Sequence, residues 1–437
     1  MTVKFFSFLG TGSYTKCRYK FDDIESSSSC YVQEALIAIL LKKKVDLKSI
    51  FIFKTKEATD TNWNKNKKYP YEAGLDGVLS KYENKLSINP VDIPSGQNED
   101  ELWEIFDSVS QQIDEGDEII FDITHSFRSL PILALIILNY AKFVKKCEIR
   151  GIYYGAIEAV GKEIKDIEEK DIAPIFDLTP FVRLLDWTVG IDRFIETGDA
   201  RHINHLMKLG TKELHLKGMK DERNILSDFS QKLEKYTKNV ATCRGKEISN
   251  GGLKLKDTLE DAVSIADKAY IKPMKPVIDR LNDRFKNFDN DENKNMLEIV
   301  KWCSEHNQIQ QGFTILEEGI ISYLCDKFRF DKNIKKDREI IEQAIYIKHK
   351  SLQKDKDKWR EKAKENEDAI KNILNKFNEE NDKNLIKVLY EEIKPIRNDI
   401  NHAGYNEGSM DAEKFETKLK NLIDKVRKYI NQNYDVR

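Results

Sequence analysis

Phe121-Asp122-Ile123-Thr124-His125-Ser126-Phe127-Arg128-Ser129-Leu130-Pro131 is the stretch that decides the fold. The run before the turn, Glu118–Ile123, is β-rich and apolar; the run from Ser129 to Lys145 is strongly apolar and long enough for a helix. Between them, polar side chains crowd one turn. A buried strand passing into a helix is the unit from which parallel sheets are built. In such sheets ligands sit beyond the carboxyl ends of the strands, where the winding order reverses. The hydroxyls of Thr124, Ser126 and Ser129, the start of the helix, and the two-donor fork of Arg128 all suit an anion. Capping by Asp122 or Ser129, with His125 in the core, is the structural alternative, but capping needs one polar residue rather than a cluster.

Moving outward, the alternation continues. Val3–Leu9 reads as a strand ending in Gly10-Thr11-Gly12-Ser13-Tyr14, where glycines let backbone N–H groups approach a phosphate; a plain tight turn explains the same residues. Tyr31–Lys43 and Glu101–Ile113 carry helical stripes, and Ile50–Phe53 and Ile149–Tyr154 read as further buried strands. The pattern predicts an α/β domain with a mostly parallel sheet covered on both faces. Thr59–Asp76, rich in Asn, Lys and Gly, reads as a surface loop. Tyr14, Tyr153 and Tyr154 are placed to stack on purine rings, or are ordinary strand aromatics. After Asp177-Leu178-Thr179-Pro180 the period turns helical, so residues 1–180 form the α/β domain and 181–437 an all-α region. Lys354–Lys383 reads as a solvated helix face or mobile insertion, and Ala412–Ile430 as an amphipathic helix.

Composition narrows the function classes. The 437 residues carry 73 Lys+Arg against 75 Asp+Glu, a net charge of -2. That balance argues against lasting nucleic-acid binding through many phosphates and leaves room for a local, transient contact. Leu130–Leu138 is far short of the ~20 apolar residues that span a bilayer, and Val3–Leu9 lacks a basic lead-in for a secretion signal. Six scattered cysteines without a C-x-x-C pair fit a reducing, cytoplasmic setting. His202 and His205 stand without further ligands of metal-binding spacing, so no metal site is expected.

The helical half holds a second constellation, Pro395-Ile396-Arg397-Asn398-Asp399-Ile400-Asn401-His402-Ala403-Gly404. His titrates near neutrality and can shuttle a proton; Arg and Asn can stabilise charge growing on a phosphate. Asn398 lies four positions before His402, on the same helix face. Arg397 does not: five residues at ~100° each place it about 140° away. Two such helices meeting at a two-fold axis would line one cleft with both sets.

Asp122-Ile123-Thr124-His125-Ser126 resembles the D-x-T-H-G signature of CARF (CRISPR-associated Rossmann-like) sensor domains of type III CRISPR systems, with Ser126 where the family usually has glycine. Asp177–Pro180, Leu185-Asp186-Trp187 and Thr197-Gly198-Asp199-Ala200 resemble that family's junction to its helical part. Arg397–His402 is similar to the R-X4-H motif of HEPN ribonucleases, and the order of the two parts resembles CARF–HEPN effectors. The resemblance implies a Rossmann-like domain over residues 1–180 that binds a cyclic oligoadenylate through Gly10, Thr11, Gly12, Ser13, Tyr14, Asp122, Thr124, His125, Ser126, Arg128 and Tyr154. It implies a helical linker and HEPN domain over 181–437, with Arg397, Asn398 and His402 catalytic, in a homodimer or higher even oligomer that cuts single-stranded RNA to a 2′,3′-cyclic phosphate without a metal or cofactor. A ligand astride a two-fold favours rings of four or six, and the resemblance favours cyclic tetra-adenylate. A CARF-dependent regulator whose Arg397–His402 stretch is inert, and a sensor that degrades its own ligand, are the alternatives.

Overall fold

Alternation along β1 (Val3–Leu9) organises the amino-terminal half: Val3, Phe5 and Leu9 enter one hydrophobic cluster, Phe6 and Phe8 another, and Ser7 lies among them. The computed structural model describes residues 2–125, 130–216, 218–265, 272, 275–377, 380–405 and 407–431. It divides into two compact units, Met1–Leu185 and Asp186–Arg437. The boundary falls within one helix, Thr179–Thr197.

The other strands of the first unit are β2 (Arg18–Phe21), β3 (Ile24–Glu25), β4 (Leu47–Lys54), β5 (Ser87–Asp92), β6 (Glu118–Asp122), β7 (Glu148–Gly155) and β8 (Ile172–Asp177). They form one sheet in the order β3-β2-β8-β7-β6-β1-β4-β5. β5, β4, β1, β6 and β7 run parallel, whereas β8 is antiparallel to β7 and β3 to β2. After β1 the chain forms β2 and β3 at one edge, crosses to β4 and β5 on the opposite side of β1, and then returns to the other side of β1 as β6. The reversal lies between β1 and β6, where Ser7 pairs with Asp122. Helices Val32–Lys42 and Leu75–Leu79 cover one face, with Leu36, Ile39 and Leu79 fully buried; Glu99–Gln111 and Leu130–Lys145 cover the other through Ile105, Val109 and Ile137. Each such side chain contributes roughly 1.5–3 kcal/mol by burial. The fold is the expected Rossmann-like α/β unit followed by helices.

The helical unit is built on one continuous core that includes Phe229, Tyr236, Phe285, Trp302, Phe313, Leu389 and Leu422. Tyr236 meets Phe285 edge-on at 4.9 Å. Pro276 sits in the first turn of Lys275–Phe285, where a missing N–H has no cost, and Pro395 follows closely on the π-helical turn Leu389–Ile393. Among the described residues no helix is long and apolar enough to cross a membrane.

Two expectations need correction. Thr59–Asp76 is not a plain surface loop: it opens with a π-helical turn, Thr59–Trp63, and Asn62, Trp63 and Asn66 are buried. Lys354–Lys383 is not a solvated or mobile insertion either. It contains helices Glu361–Lys364 and Glu367–Lys376, and Trp359, Ala363, Ile370, Ile373 and Phe377 belong to the core. In Lys354–Lys383, dense charge conceals a few apolar residues that decide burial; in Thr59–Asp76, two asparagines are buried beside Trp63.

Candidate functional site

At the reversal point, Asp122 closes a buried network. One carboxylate oxygen accepts from Ser7 Oγ at 2.8 Å; the other accepts from the Thr124 N–H at 3.0 Å and from Thr124 Oγ1 at 2.5 Å. Thr124 Oγ1 in turn accepts the Gly155 N–H at 2.8 Å. Asp122, fully buried, thus ties the ends of β1, β6 and β7 together, and burial raises its carboxyl pKa. A side chain at Gly155 would collide with Val32 Cγ2 at 2.4 Å, so glycine is what permits this close approach. Asp122 therefore shapes the turn from beneath.

The glycine turn is fastened from inside and outside. Tyr14 is buried; its hydroxyl accepts the Gly10 N–H at 2.8 Å and donates to the Gly10 carbonyl at 3.1 Å. Asn62, in the stretch read from sequence as a loop, donates its amide to the carbonyls of Gly10 and Gly12, both at 2.9 Å. Lys67 Nζ reaches the Thr11 carbonyl and Lys68 Nζ the Thr15 hydroxyl, each at 2.8 Å. Gly12 and Ser13 are left exposed at the rim. Asn62, Lys67 and Lys68 were not picked out by sequence reasoning; a lone Asn in a Lys-rich stretch carries no recognisable spacing.

His125 packs its ring 4.1 Å from that of Tyr14, tilted by 33°, and its Nε2 has no hydrogen-bond partner among the described residues. Lost hydration lowers the imidazole pKa to about 4, so the ring is neutral at pH 7. Tyr153 is buried against Phe21, whereas Tyr154 is half-buried and donates to Glu158 at 2.6 Å. Burial, seconded by Glu158, pushes the Tyr154 hydroxyl up to about 12. The structure thus gathers Gly10–Tyr14, Thr124 and His125 at one strand-end crevice; Ser126 and Arg128 lie outside the described residues.

The enclosed imidazole gives a pH prediction. Its folded pKa lies below the ordinary 6.5, so protonation favours the unfolded chain. Stability is fully present above pH 6.5 and declines as the pH falls towards 4. Thermal unfolding between pH 7.5 and 5 should show this decline, and His125→Gln should make it shallower; an unchanged pH dependence in the variant would refute the assignment.

In the helical unit, Lys394–Asn401 carries the second constellation. Asn398 and His402 are exposed, with His402 as the residue that ends the helix. Its N–H donates to the Asn398 carbonyl at 2.9 Å. Ala403 (φ 53°) and Gly404 (φ 75°) then turn the chain left-handed, and the Gly404 N–H returns to the Asp399 carbonyl at 3.1 Å. Arg397 points elsewhere: Nη1 lies 3.3 Å from Oε2 of the buried Glu317. One chain therefore presents Asn398 with His402, and holds Arg397 apart.

Comparison with known proteins finds similarities in both units. Residues 4–158 match the model of the CARF domain of the CRISPR system endoribonuclease Csx1, and residues 183–295 match the second domain of CRISPR-associated protein MJ1674. Arg397, Asn398 and His402 lie beyond both matches. CRISPR-associated protein MJ1674 of Methanocaldococcus jannaschii is 27% identical over 281 residues, which is 62% of this chain and 40% of that protein. The match thus spans less than half of the relative's length. Enterococcus italicus Csm6 bound to cyclic hexa-2′-fluoro-hexa-dAMP aligns over 100% of this chain and 95% of its own, with a TM-score of 0.44 and 13% identity. Residues 4–158, which hold the strand-end turn, are thus similar to a CARF domain, and the chain is similar to CRISPR-associated proteins over this part and over residues 183–295.

Proposed function

We propose that this chain is a cytoplasmic sensor and effector: a cyclic oligoadenylate, cyclic tetra-adenylate in preference to hexa-adenylate, binds the CARF unit and activates a metal-independent endoribonuclease of HEPN type in the helical unit. The observation that carries the reading is the exposed Asn398–His402 pair at the end of a helix, in the same chain as a CARF domain. The 2′-hydroxyl of single-stranded RNA attacks the adjacent phosphorus, and the 5′-oxygen leaves with a proton. The product is a 2′,3′-cyclic phosphate. His402 transfers the proton or orients the 2′-hydroxyl, Arg397 offsets the charge on the phosphate, and Asn398 donates a hydrogen bond.

The working form is a homodimer. Ile132, Ile136, Tyr140 and Phe143 follow one stripe of the helix Leu130–Lys145 and are 47–64% exposed. A monomer rarely leaves such a stripe open. A second copy is the occupant because one chain offers Asn398 and His402 without Arg397 on the same face, so a composite cleft needs two. The ligand's own two-fold then suits the pair of sensor units.

The test is end-group analysis of RNA incubated with the protein, cyclic tetra-adenylate and a chelator. Fragments ending in 2′,3′-cyclic phosphate are expected. Activity abolished by chelation, or fragments ending in a 3′-hydroxyl, would contradict the mechanism.

A further inference from the structure

Glu317 lies on the helix Ile309–Phe328 and is 5% exposed. A buried carboxylate is costly unless cations answer it, and here two do: Arg397 Nη1 at 3.3 Å from Oε2, and Lys394 Nζ at 3.8 Å from Oε1. Lys394 and Arg397 stand three residues apart on one helix, so both project towards the same neighbour. Lys394 and Arg397 are the two cations that answer Glu317, and Glu318 and Glu342 are further acidic neighbours of the same carboxylate. Lys394 is fixed from its other side as well, with Nζ 4.5 Å from the centre of the Tyr390 ring, and His349 stacks on that ring at 4.7 Å and 13°.

We infer that Glu317 is a positioning residue for RNA cleavage: its buried carboxylate fixes the guanidinium of Arg397, with Lys394 beside it, in the orientation that receives the RNA phosphodiester. The inference rests on the ribonuclease reading above. Glu317 touches no reacting atom. It acts through Arg397, whose half-exposed side chain would otherwise sample many rotamers, and ordering such a group before the substrate arrives removes that cost from the reaction.

Burial raises the Glu317 carboxyl pKa, while Arg397 and Lys394 oppose the rise and the acidic neighbours Glu318 and Glu342 add to it. Tyr390 faces the same carboxylate. As the pH falls, Glu317 gains its proton before an exposed glutamate would, and Arg397 loses its anchor. The acid side of the kcat profile therefore contains a limb that belongs to Glu317.

The experiment uses the full chain with cyclic tetra-adenylate and measures kcat, KM and their pH profiles on single-stranded RNA. Glu317→Gln should lower kcat about 10- to 100-fold with little change in KM, consistent with a modest misplacement of a catalytic group. The variant's profile should lack the wild-type acid limb, and Glu317→Asp should recover part of the rate. In an Arg397→Lys background, Glu317→Gln should cost much less than it does alone, because the residue acts through the guanidinium. Equal losses in both backgrounds, or cleavage at or above the wild-type rate, would overturn the inference. Should the Gln variant fail to fold, the Asp variant decides: a kcat loss supports the role, and a KM effect alone refutes it. Wild-type protein that cuts no RNA overturns the ribonuclease reading itself, and the role of Glu317 with it.

Discussion

His402→Ala is expected to lower ligand-activated RNA cleavage by about 10²–10⁴-fold, the usual contribution of a positioned proton-transfer group. The side chain is exposed at the end of Lys394–Asn401. The helix end is held by backbone bonds from His402 to Asn398 and from Gly404 to Asp399, and the Asp399 carboxylate accepts the Met410 N–H at 2.9 Å. None needs the ring. Folding and ligand affinity should therefore survive, and the loss should fall on kcat. Arg397→Ala should be as severe, but with a stability cost, because it strands the buried Glu317 carboxylate with Lys394 alone at 3.8 Å. A His402→Ala protein that cleaves at the wild-type rate would remove His402 from the mechanism.

The second large effect is expected at the other end of the signal. Gly12 is exposed, and a Cβ added there meets no atom of the described residues within 4 Å. Gly12→Val should leave the isolated fold undisturbed. If the phosphate ring of the ligand lies against the Gly10–Ser13 backbone, however, the added methyls occupy the ligand's place. The concentration of cyclic tetra-adenylate giving half-maximal activation should then rise about 100-fold, which corresponds to ~3 kcal/mol. Gly10→Ala differs, because its Cβ would press on the Tyr14 hydroxyl at 3.0 Å. It should perturb the turn whether or not ligand is present. Unaltered activation of Gly12→Val, measured by RNA cleavage against ligand concentration, would move the binding site away from this turn.

The sheet centre was legible because its signals are strong and local. Val3–Leu9 and Glu118–Asp122 are buried along nearly their whole length, and such strands appear as mostly apolar runs. The outer strands escaped notice for the opposite reason. Ser87–Asp92 is a half-exposed edge carrying Pro90, and Ile172–Asp177 carries Pro174; both look like loops when read alone. At the sensor site, the sequence displayed the residues that stand at strand ends, whereas their division of labour needed three dimensions. Asp122 and Tyr14 turn inward to build the turn, and Gly12 and Ser13 are left to face outward. Asn62 reaches the turn from about fifty residues away, across a contact no local pattern encodes. In the helical unit, the periodicity of Lys394–Asn401 placed Arg397 off the Asn398–His402 face; that it is held by Glu317, eighty residues earlier, became visible only in the fold.

The central claim is coupling between the two units of one chain, and its most direct measurement is the rate of single-stranded RNA cleavage with and without cyclic tetra-adenylate, chelator present throughout. The account predicts cleavage that rises steeply with ligand, persists in chelator, and falls to background in the Arg397→Ala, His402→Ala double variant. Cleavage that ignores the ligand, or that persists undiminished in the double variant, would contradict it.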